Sequence, residues 1–241
     1  MPRFYLEQPL AIGDGFDLPP TLAHHVLVLR MQSGHYITLF NGQGGEYTAT
    51  ITALERKTVS VEIKAFSPRE AELPYAITLA QALPEAAKMD WIMEKAVELG
   101  ATAVQPLSAQ RCVVRLTAER AAKRLQHWQA IAIAAAEQCG RNRIMHVASP
   151  IDVDHYVGQQ DIHLRVLLSP DAEVSLAHWA RHQPPRSVTL MIGPEGGFNS
   201  AEQAGAAAHG VLALSLGARV LRTETAGLAA LAALNAIWGE M

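Results

Sequence analysis

Leu190-Met191-Ile192-Gly193-Pro194-Glu195-Gly196-Gly197-Phe198-Asn199, followed after an alanine-rich stretch by Val211-Leu212-Ala213-Leu214-Ser215-Leu216-Gly217-Ala218-Arg219-Val220-Leu221-Arg222-Thr223-Glu224-Thr225-Ala226, decides how the chain is read. Two apolar runs, Val188 to Ile192 and Val211 to Leu216, each stop at a glycine, and each glycine opens a loop that leads into a helical pattern. Strand, loop and helix thus occur twice in succession. In a parallel α/β sheet the loops at the carboxyl ends of the strands form the ligand crevice. Gly193 to Phe198 and Gly217 to Thr225 are therefore expected to line one pocket.

The glycine loop is not a common phosphate binder. A P-loop needs lysine and Ser or Thr directly after its last glycine, and a dinucleotide fold needs Gly-x-Gly-x-x-Gly; here Gly196-Gly197 runs into Phe198 and Asn199. Pro194 fixes one φ and removes a donor, while Gly196 and Gly197 let a ligand approach the main chain. Ser200 and Gln203 read as a capping box for the helix that follows.

Working outward, strand and helix patterns alternate from Tyr75 onward. Tyr75–Leu83, Thr102–Leu107, Ile144–Ala148 and His163–Leu168 read as strands. Met89–Leu99, closed by Gly100, the stretch from Thr117 to about Cys139, and Leu176–His182 read as helices. With the two units above this makes six strands separated by helices, an α/β domain with a mainly parallel sheet. The last helix, Thr223 to about Trp238, carries no charge after Glu224, so it must be covered on more than one side, by the core or by a second subunit. A homodimer is the expectation.

Before Tyr75 the pattern changes. Arg3–Leu6 is a short strand and Pro20–Leu29 a helix. Tyr36–Phe40, Glu46–Leu54 and Val59–Ala65 alternate as three strands of a meander, with a glycine-rich turn at 41–45. The polar segment Ser67 to Pro74, bracketed by prolines, is the best linker. The expected domains are 1–70, a small β-rich unit, and 74–241, the α/β unit.

The composition, 49% hydrophobic with 18% charged residues, belongs to a globular protein rather than a disordered or membrane-spanning one, and Met1-Pro2-Arg3-Phe4-Tyr5 lacks a signal-peptide layout. A cytoplasmic protein without a membrane partner is expected. Cys112 and Cys139 have no paired spacing, so no metal is expected. Charge is uneven: from Arg111 to Arg143 seven Arg or Lys face Glu119 and Glu137, and seven less two gives +5 in a chain of net charge −3. Such a stretch fits either a face that meets phosphate or a solvated helix face. Glu137 and Arg141, four apart, read most simply as an intrahelical pair.

Gly193-Pro194-Glu195-Gly196-Gly197-Phe198 and Leu216 through Ala226 strongly resemble the ribosomal RNA small subunit methyltransferase E family. Arg3-Phe4-Tyr5, Leu29-Arg30-Met31, Phe40-Asn41-Gly42, Lys88-Met89-Asp90-Trp91, Arg111-Cys112-Val113-Val114-Arg115 and Glu137-Gln138-Cys139-Gly140-Arg141 extend the likeness end to end. The resemblance implies a PUA-like N-terminal β-barrel that binds RNA. It also implies a C-terminal SPOUT domain with a trefoil knot, which carries the cofactor site and the dimer contact. The activity implied is methylation of N3 of one uridine in 16S rRNA, with S-adenosyl-L-methionine as cofactor. It implies cofactor contacts from Leu168, Ile192, Gly193, Gly196, Leu216, Leu221 and Ala226, with Pro194, Gly197, Gly217 and Thr225 completing the loops.

Arg222, Arg3 and Glu195 are the charged candidates for chemistry. Arg222 can hold a developing uridine oxyanion or a phosphate, or pair with Glu224 or Glu195; Glu195 can accept the N3 proton or brace its own turn. Arg3 can reach the target base or form a salt bridge at the barrel edge. Arg30, Arg111, Arg115, Arg120, Lys123, Arg124 and Arg141 join Arg3 as candidate RNA contacts. The competing readings are a SPOUT enzyme acting on tRNA or another rRNA position, and a non-catalytic RNA-binding assembly factor.

Overall fold

The computed structural model describes residues 1–85, 87–160 and 163–239. The chain divides into two compact units: Met1–Glu72 with Ala136–Ile144, and Leu73–Ala135 with the chain from Met145 onward.

The first unit holds β1 (Arg3–Tyr5), β2 (Gly15–Asp17), α1 (Pro20–Val28), β3 (Tyr36–Phe40), β4 (Glu46–Leu54) and β5 (Val59–Ser67). They form one sheet in the order β1-β3-β4-β5-β2. The expected meander is β3-β4-β5, antiparallel throughout, while β1 lies parallel to β3 and β2 antiparallel to β5. Alternation drives the packing: Ala49 and Ile51 of β4, and Val59, Val61 and Ile63 of β5, turn inward against Phe4, Ile37, Leu39 and Val26. Strand β2 is only three residues long and too short to show a period.

Residues 136–144 join this unit through polar contacts. The Glu137 carboxylate accepts the Tyr5 N–H at 2.8 Å, Arg69 donates to the Gly140 carbonyl at 2.6 Å, and Asn142 Nδ2 donates to the Arg69 carbonyl at 2.6 Å. Arg141 is 3% exposed and grips Glu72 with two of its nitrogens. The expected pairing of Glu137 with Arg141 is therefore not formed: the helix ends at Cys139, and each partner is taken by the first unit. Burial pushes the Glu137 carboxyl above its ordinary range, opposed by the Tyr5 N–H and the charges of His25 and Arg3.

The second unit contains β6 (Ile77–Ala82), α2 (Lys88–Glu98), β7 (Ala103–Ser108), α3 (Ala118–Cys139, its last turn in the first unit), β8 (His146–Val147), β9 (Ile151–Asp152) and α4 (Val153–Gly158). It continues with β10 (Leu164–Leu168), α5 (Leu176–Arg181), β11 (Val188–Ile192), α6 (Ser200–Ala208), β12 (Leu212–Leu214) and α7 (Thr223–Trp238). The sheet runs β12-β10-β11-β6-β7-β8, with β9 also on β7, and every pair is parallel. All five residues of β11 are buried, as expected of a strand covered on both faces. Strand β8 is the two-residue core of the expected strand Ile144–Ala148, while β9 and helix α4 are short pieces that no periodic pattern announces.

Helix α7 packs on α2, α5, β6 and β11. Gly227 makes the close approach possible: a Cβ there would lie 2.9 Å from Leu79 Cδ1 and 3.4 Å from Ile192. Trp238 sits edge-on to Tyr75 at 4.9 Å, and its indole N–H donates to the Ala180 carbonyl at 3.2 Å. The apolar circumference of α7 is thus largely covered inside the chain, and it does not by itself call for a partner subunit.

Candidate active site

Strand β12 lies on the opposite side of β10 from β11, so the chain reverses its direction of travel across the sheet there. Such a switch point opens a crevice at the strand ends. A cavity of about 450 Å³ fills it, lined by the loop after β11 (Gly193 to Phe198) and the loop after β12 (Leu216, Gly217 and Arg219 to Thr223). The two sequence-predicted loops do share one pocket. A third loop, Ser169-Pro170-Asp171 after β10, completes the wall. It follows the same signature, an apolar run cut by turn residues, yet only Leu168, the last residue of β10, is expected at the site from the sequence.

Local chemistry shapes each loop. The Gly197 N–H donates to the Pro194 carbonyl at 2.8 Å, closing a turn, and Gly197 sits at φ 67°. A Cβ on Gly193 would lie 2.9 Å from the Phe198 nitrogen and 3.0 Å from Gly197 Cα, so the turn folds back directly over that glycine. Phe198 anchors it, 4% exposed. Helix α6 begins one residue earlier than its sequence suggested. Asn199 is the cap, its side chain accepting from the Glu202 N–H at 2.8 Å while Glu202 accepts from the Asn199 N–H at 2.8 Å. Ser200 is already helical, because Glu202 is buried, where it also accepts the Gln110 N–H at 2.7 Å; Gln203 bonds the Phe198 carbonyl instead.

Of the predicted cofactor residues, Leu168, Ile192, Gly193, Pro194, Gly196, Gly197, Leu216, Gly217, Leu221 and Ala226 all line the cavity, and Thr225 does not. Its neighbour Thr223 serves the site differently. The Thr223 hydroxyl donates to the Gly193 carbonyl at 2.6 Å and accepts from Gln81 Nε2 at 2.9 Å, joining both loops to the buried end of β6.

The charged candidates part company. Arg222 is exposed and lines the cavity; its carbonyl caps the first turn of α7, accepting from the Thr225 and Ala226 N–H groups at 2.9 Å, while its guanidinium has no hydrogen bond or ion pair with any described residue. The pairings with Glu224 or Glu195 open to it in the sequence are absent, because Lys88 takes both: its Nζ is 2.7 Å from Glu195 Oε1 and 3.7 Å from Glu224 Oε2. Glu195 also accepts the Glu85 N–H at 3.1 Å. Burial works against its charge, but Lys88 and the neighbouring N–H groups hold the carboxyl below the ordinary carboxylate range. These contacts form the bracing alternative of the two roles open to Glu195 in the sequence.

Arg3 lies in the first unit, ion-paired with Glu46 and donating to Asn142 Oδ1 at 2.6 Å, the salt-bridge alternative of its sequence reading. Arg141, expected to touch RNA, is buried against Glu72 and cannot present its charge. Arg115, Arg120, Lys123 and Arg124 are exposed, though Lys123 pairs with Glu119 at 2.7 Å. Arg111 lines the cavity and donates to the Gly196 carbonyl at 2.7 Å. Arg30 is exposed at φ 54°. Among the described residues no helix is long and apolar enough to cross a membrane.

Comparison with known proteins agrees with this geometry. Residues 71–235 match the RNA methyltransferase domain family, and residues 18–64 match the RNA methyltransferase PUA domain. The chain is 32% identical to ribosomal RNA small subunit methyltransferase E of Bacillus subtilis over 98% of its own length and 96% of that protein. The structure of the Neisseria gonorrhoeae ribosomal RNA small subunit methyltransferase E, solved bound to S-adenosyl methionine, is 39% identical and superposes with a TM-score of 0.92 over 99% of this chain and 98% of that one. A putative methyltransferase from Legionella pneumophila, solved with bound SAM, is 40% identical, with a TM-score of 0.90 over 97% and 96%. With its glycine-loop cavity at the switch point and these relatives matched along nearly their whole length, the chain belongs to the ribosomal RNA small subunit methyltransferase E family.

Proposed function

We propose that the chain methylates N3 of a specific uridine in 16S rRNA of the small ribosomal subunit, using S-adenosyl-L-methionine. The observation that carries this reading is the single cavity into which the loops after β10, β11 and β12 converge. Its residues fit the cofactor. A volume of about 450 Å³ falls within the range of small-molecule sites, and Leu168, Ile192, Leu216 and Leu221 offer apolar surface to an adenine. Bound there, the cofactor supplies a methyl group already activated on a sulfonium.

What the chain contributes is placement and charge. Gly193, Gly196 and Gly197 let a ligand lie against the main chain, and the Thr223 link from Gln81 to Gly193 fixes the floor beneath it. Arg222, uncommitted at the cavity, stabilises the oxyanion that forms as uridine loses its N3 proton, or holds the adjoining phosphate. Glu195 is reserved for Lys88. The exposed Arg115, Arg120, Lys123 and Arg124 serve as phosphate contacts, with Arg30 and the PUA-like unit holding more of the RNA. Arg3 holds the 136–144 segment on its sheet.

The trefoil threading, the closed barrel, the homodimer and a cytoplasmic site of action rest on the family likeness. The return of β12 across β10 supports the first. The deciding experiment incubates the chain with labelled cofactor and either small-subunit RNA or tRNA, followed by digestion to nucleosides. Label in 3-methyluridine from the small-subunit RNA is expected. Label in tRNA, or none in either, overturns the reading.

A further inference from the structure

Lys88 opens helix α2, where a cation opposes the helix dipole and gains nothing from the helix itself. Its environment gives another reason for its presence. The Nζ lies 2.7 Å from Glu195, in the loop after β11, and 3.7 Å from Glu224, in the first turn of α7 directly behind the loop after β12. Glu224 Oε2 is buried and has no hydrogen-bond partner among the described residues, so this ammonium is the charge set against it. Lys88 thus links a carboxylate of the loop after β11 to a carboxylate of the first turn of α7. The Glu85 N–H adds a second tie from the segment after β6 to Glu195, at 3.1 Å. Lys88 does not itself line the cavity.

We propose that Lys88 is a positioning residue: it clamps the Gly193–Phe198 loop to the first turn of α7, and so to the Leu216–Arg222 loop that leads into it, in the arrangement that receives the methyl donor, without touching the donor. The inference rests on the cofactor reading of the cavity given above. Apparent affinity scales with the share of molecules whose loops are already in place, so if Lys88→Met lowers that share to about one tenth, the dissociation constant rises about tenfold. Saturating donor re-imposes the arrangement, so the KM for the donor rises while kcat stays within about twofold of the parent. Lys88→Arg keeps the charge between the two carboxylates and restores affinity to within about threefold.

The test uses the full chain in three measurements: titration calorimetry with S-adenosylmethionine, steady-state methylation of small-subunit RNA, and amide hydrogen exchange of the donor-free protein over 193–199 and 217–226. Lys88→Met is expected to weaken binding, raise KM alone and speed exchange in both segments, and Lys88→Arg to reverse all three. Parental binding and parental exchange in Lys88→Met overturn the clamp, as does an equal loss in Lys88→Arg. Should Lys88→Met fail to fold, Glu224→Gln releases one arm only; faster exchange confined to 217–226 supports the clamp and parental exchange there overturns it. If the parent chain binds no donor, the cofactor reading falls, and the exchange data still decide whether the loops are clamped.

Discussion

Gly193→Ala adds one methyl group where the glycine turn folds back on itself. The new Cβ would stand 2.9 Å from the Phe198 nitrogen, 3.0 Å from Gly197 Cα and 3.1 Å from the Gly197 carbonyl carbon. All three are backbone atoms, so no rotamer change relieves the contact, and the turn closed by Gly197 N–H and the Pro194 carbonyl must open. Overpacking of this kind costs about 1–3 kcal/mol. The donor-free loop can relax into another arrangement, so the cost falls on the state that binds, and donor affinity should drop by about 5- to 150-fold. Gly205→Ala is the control: it lies within α6, a Cβ there meets nothing within 4 Å, and the substitution should raise stability by about 0.5–1 kcal/mol. Calorimetric titration with S-adenosylmethionine, alongside thermal unfolding of both variants, reads the difference. A folded Gly193→Ala protein that binds the donor with parental affinity would refute the argument that the turn must lie over this glycine.

Arg222→Ala removes the one cavity-lining arginine for which both sequence-expected partners are engaged elsewhere; turnover on small-subunit RNA should fall about 100-fold or more with thermal unfolding unchanged, as for loss of a charge donor aimed at a developing anion. Trp238→Ala empties the space between Tyr75 and Trp179 and should lower stability by about 3–5 kcal/mol, seen as a reduced urea midpoint with the same slope. Glu195 has a folded-state carboxyl held below its unfolded value, so its contribution to stability is present above the unfolded pKa and lost as pH falls through the folded one. Glu195→Gln should therefore lose stability at neutral pH and show a flatter decline below about pH 5 than the parent, measured by urea midpoints across that range.

The elements with a long period were legible in the sequence. Strand β11, the helices α2, α3 and α7, and the β3-β4-β5 meander each declare themselves by apolar spacing, and the two glycine stops mark the loops that line the cavity. Short pieces were not legible: β2 and β9 exist because neighbours across the sheet complete them, as β9 does on β7, and α4 is a helix of only six residues. Charge pairing was the other blind spot. Glu137 and Arg141 stand four apart and look like mutual partners, yet the carboxylate caps Tyr5 and the guanidinium is buried on Glu72, far away in sequence. Similarly Glu195, Glu224 and Arg222 look like a local set, until Lys88 arrives from another helix and takes both carboxylates. Spacing identifies partners within an element and has no access to those brought in by the fold.

Helix α7 shows why the apolar end of this chain and its cavity belong together. Thr223 begins the helix and ties the Gly193 carbonyl to Gln81, Ala226 lines the cavity one turn on, and Gly227 lies against Leu79 and Ile192 on the sheet. Farther along, Asn235 donates to the Leu99 carbonyl at 2.9 Å and accepts from the Tyr75 hydroxyl at 3.3 Å, a buried polar pair that fixes the register of the helix against its neighbours. The cavity floor is thus the first turn of a helix whose remaining length is core. A helix free to slide would move Thr223 off Gly193 and change the shape of the pocket. Burying it over most of its circumference, with a glycine at the closest approach, sets the floor to the precision of the core itself, while the exposed Arg222 at its start remains available to the substrate.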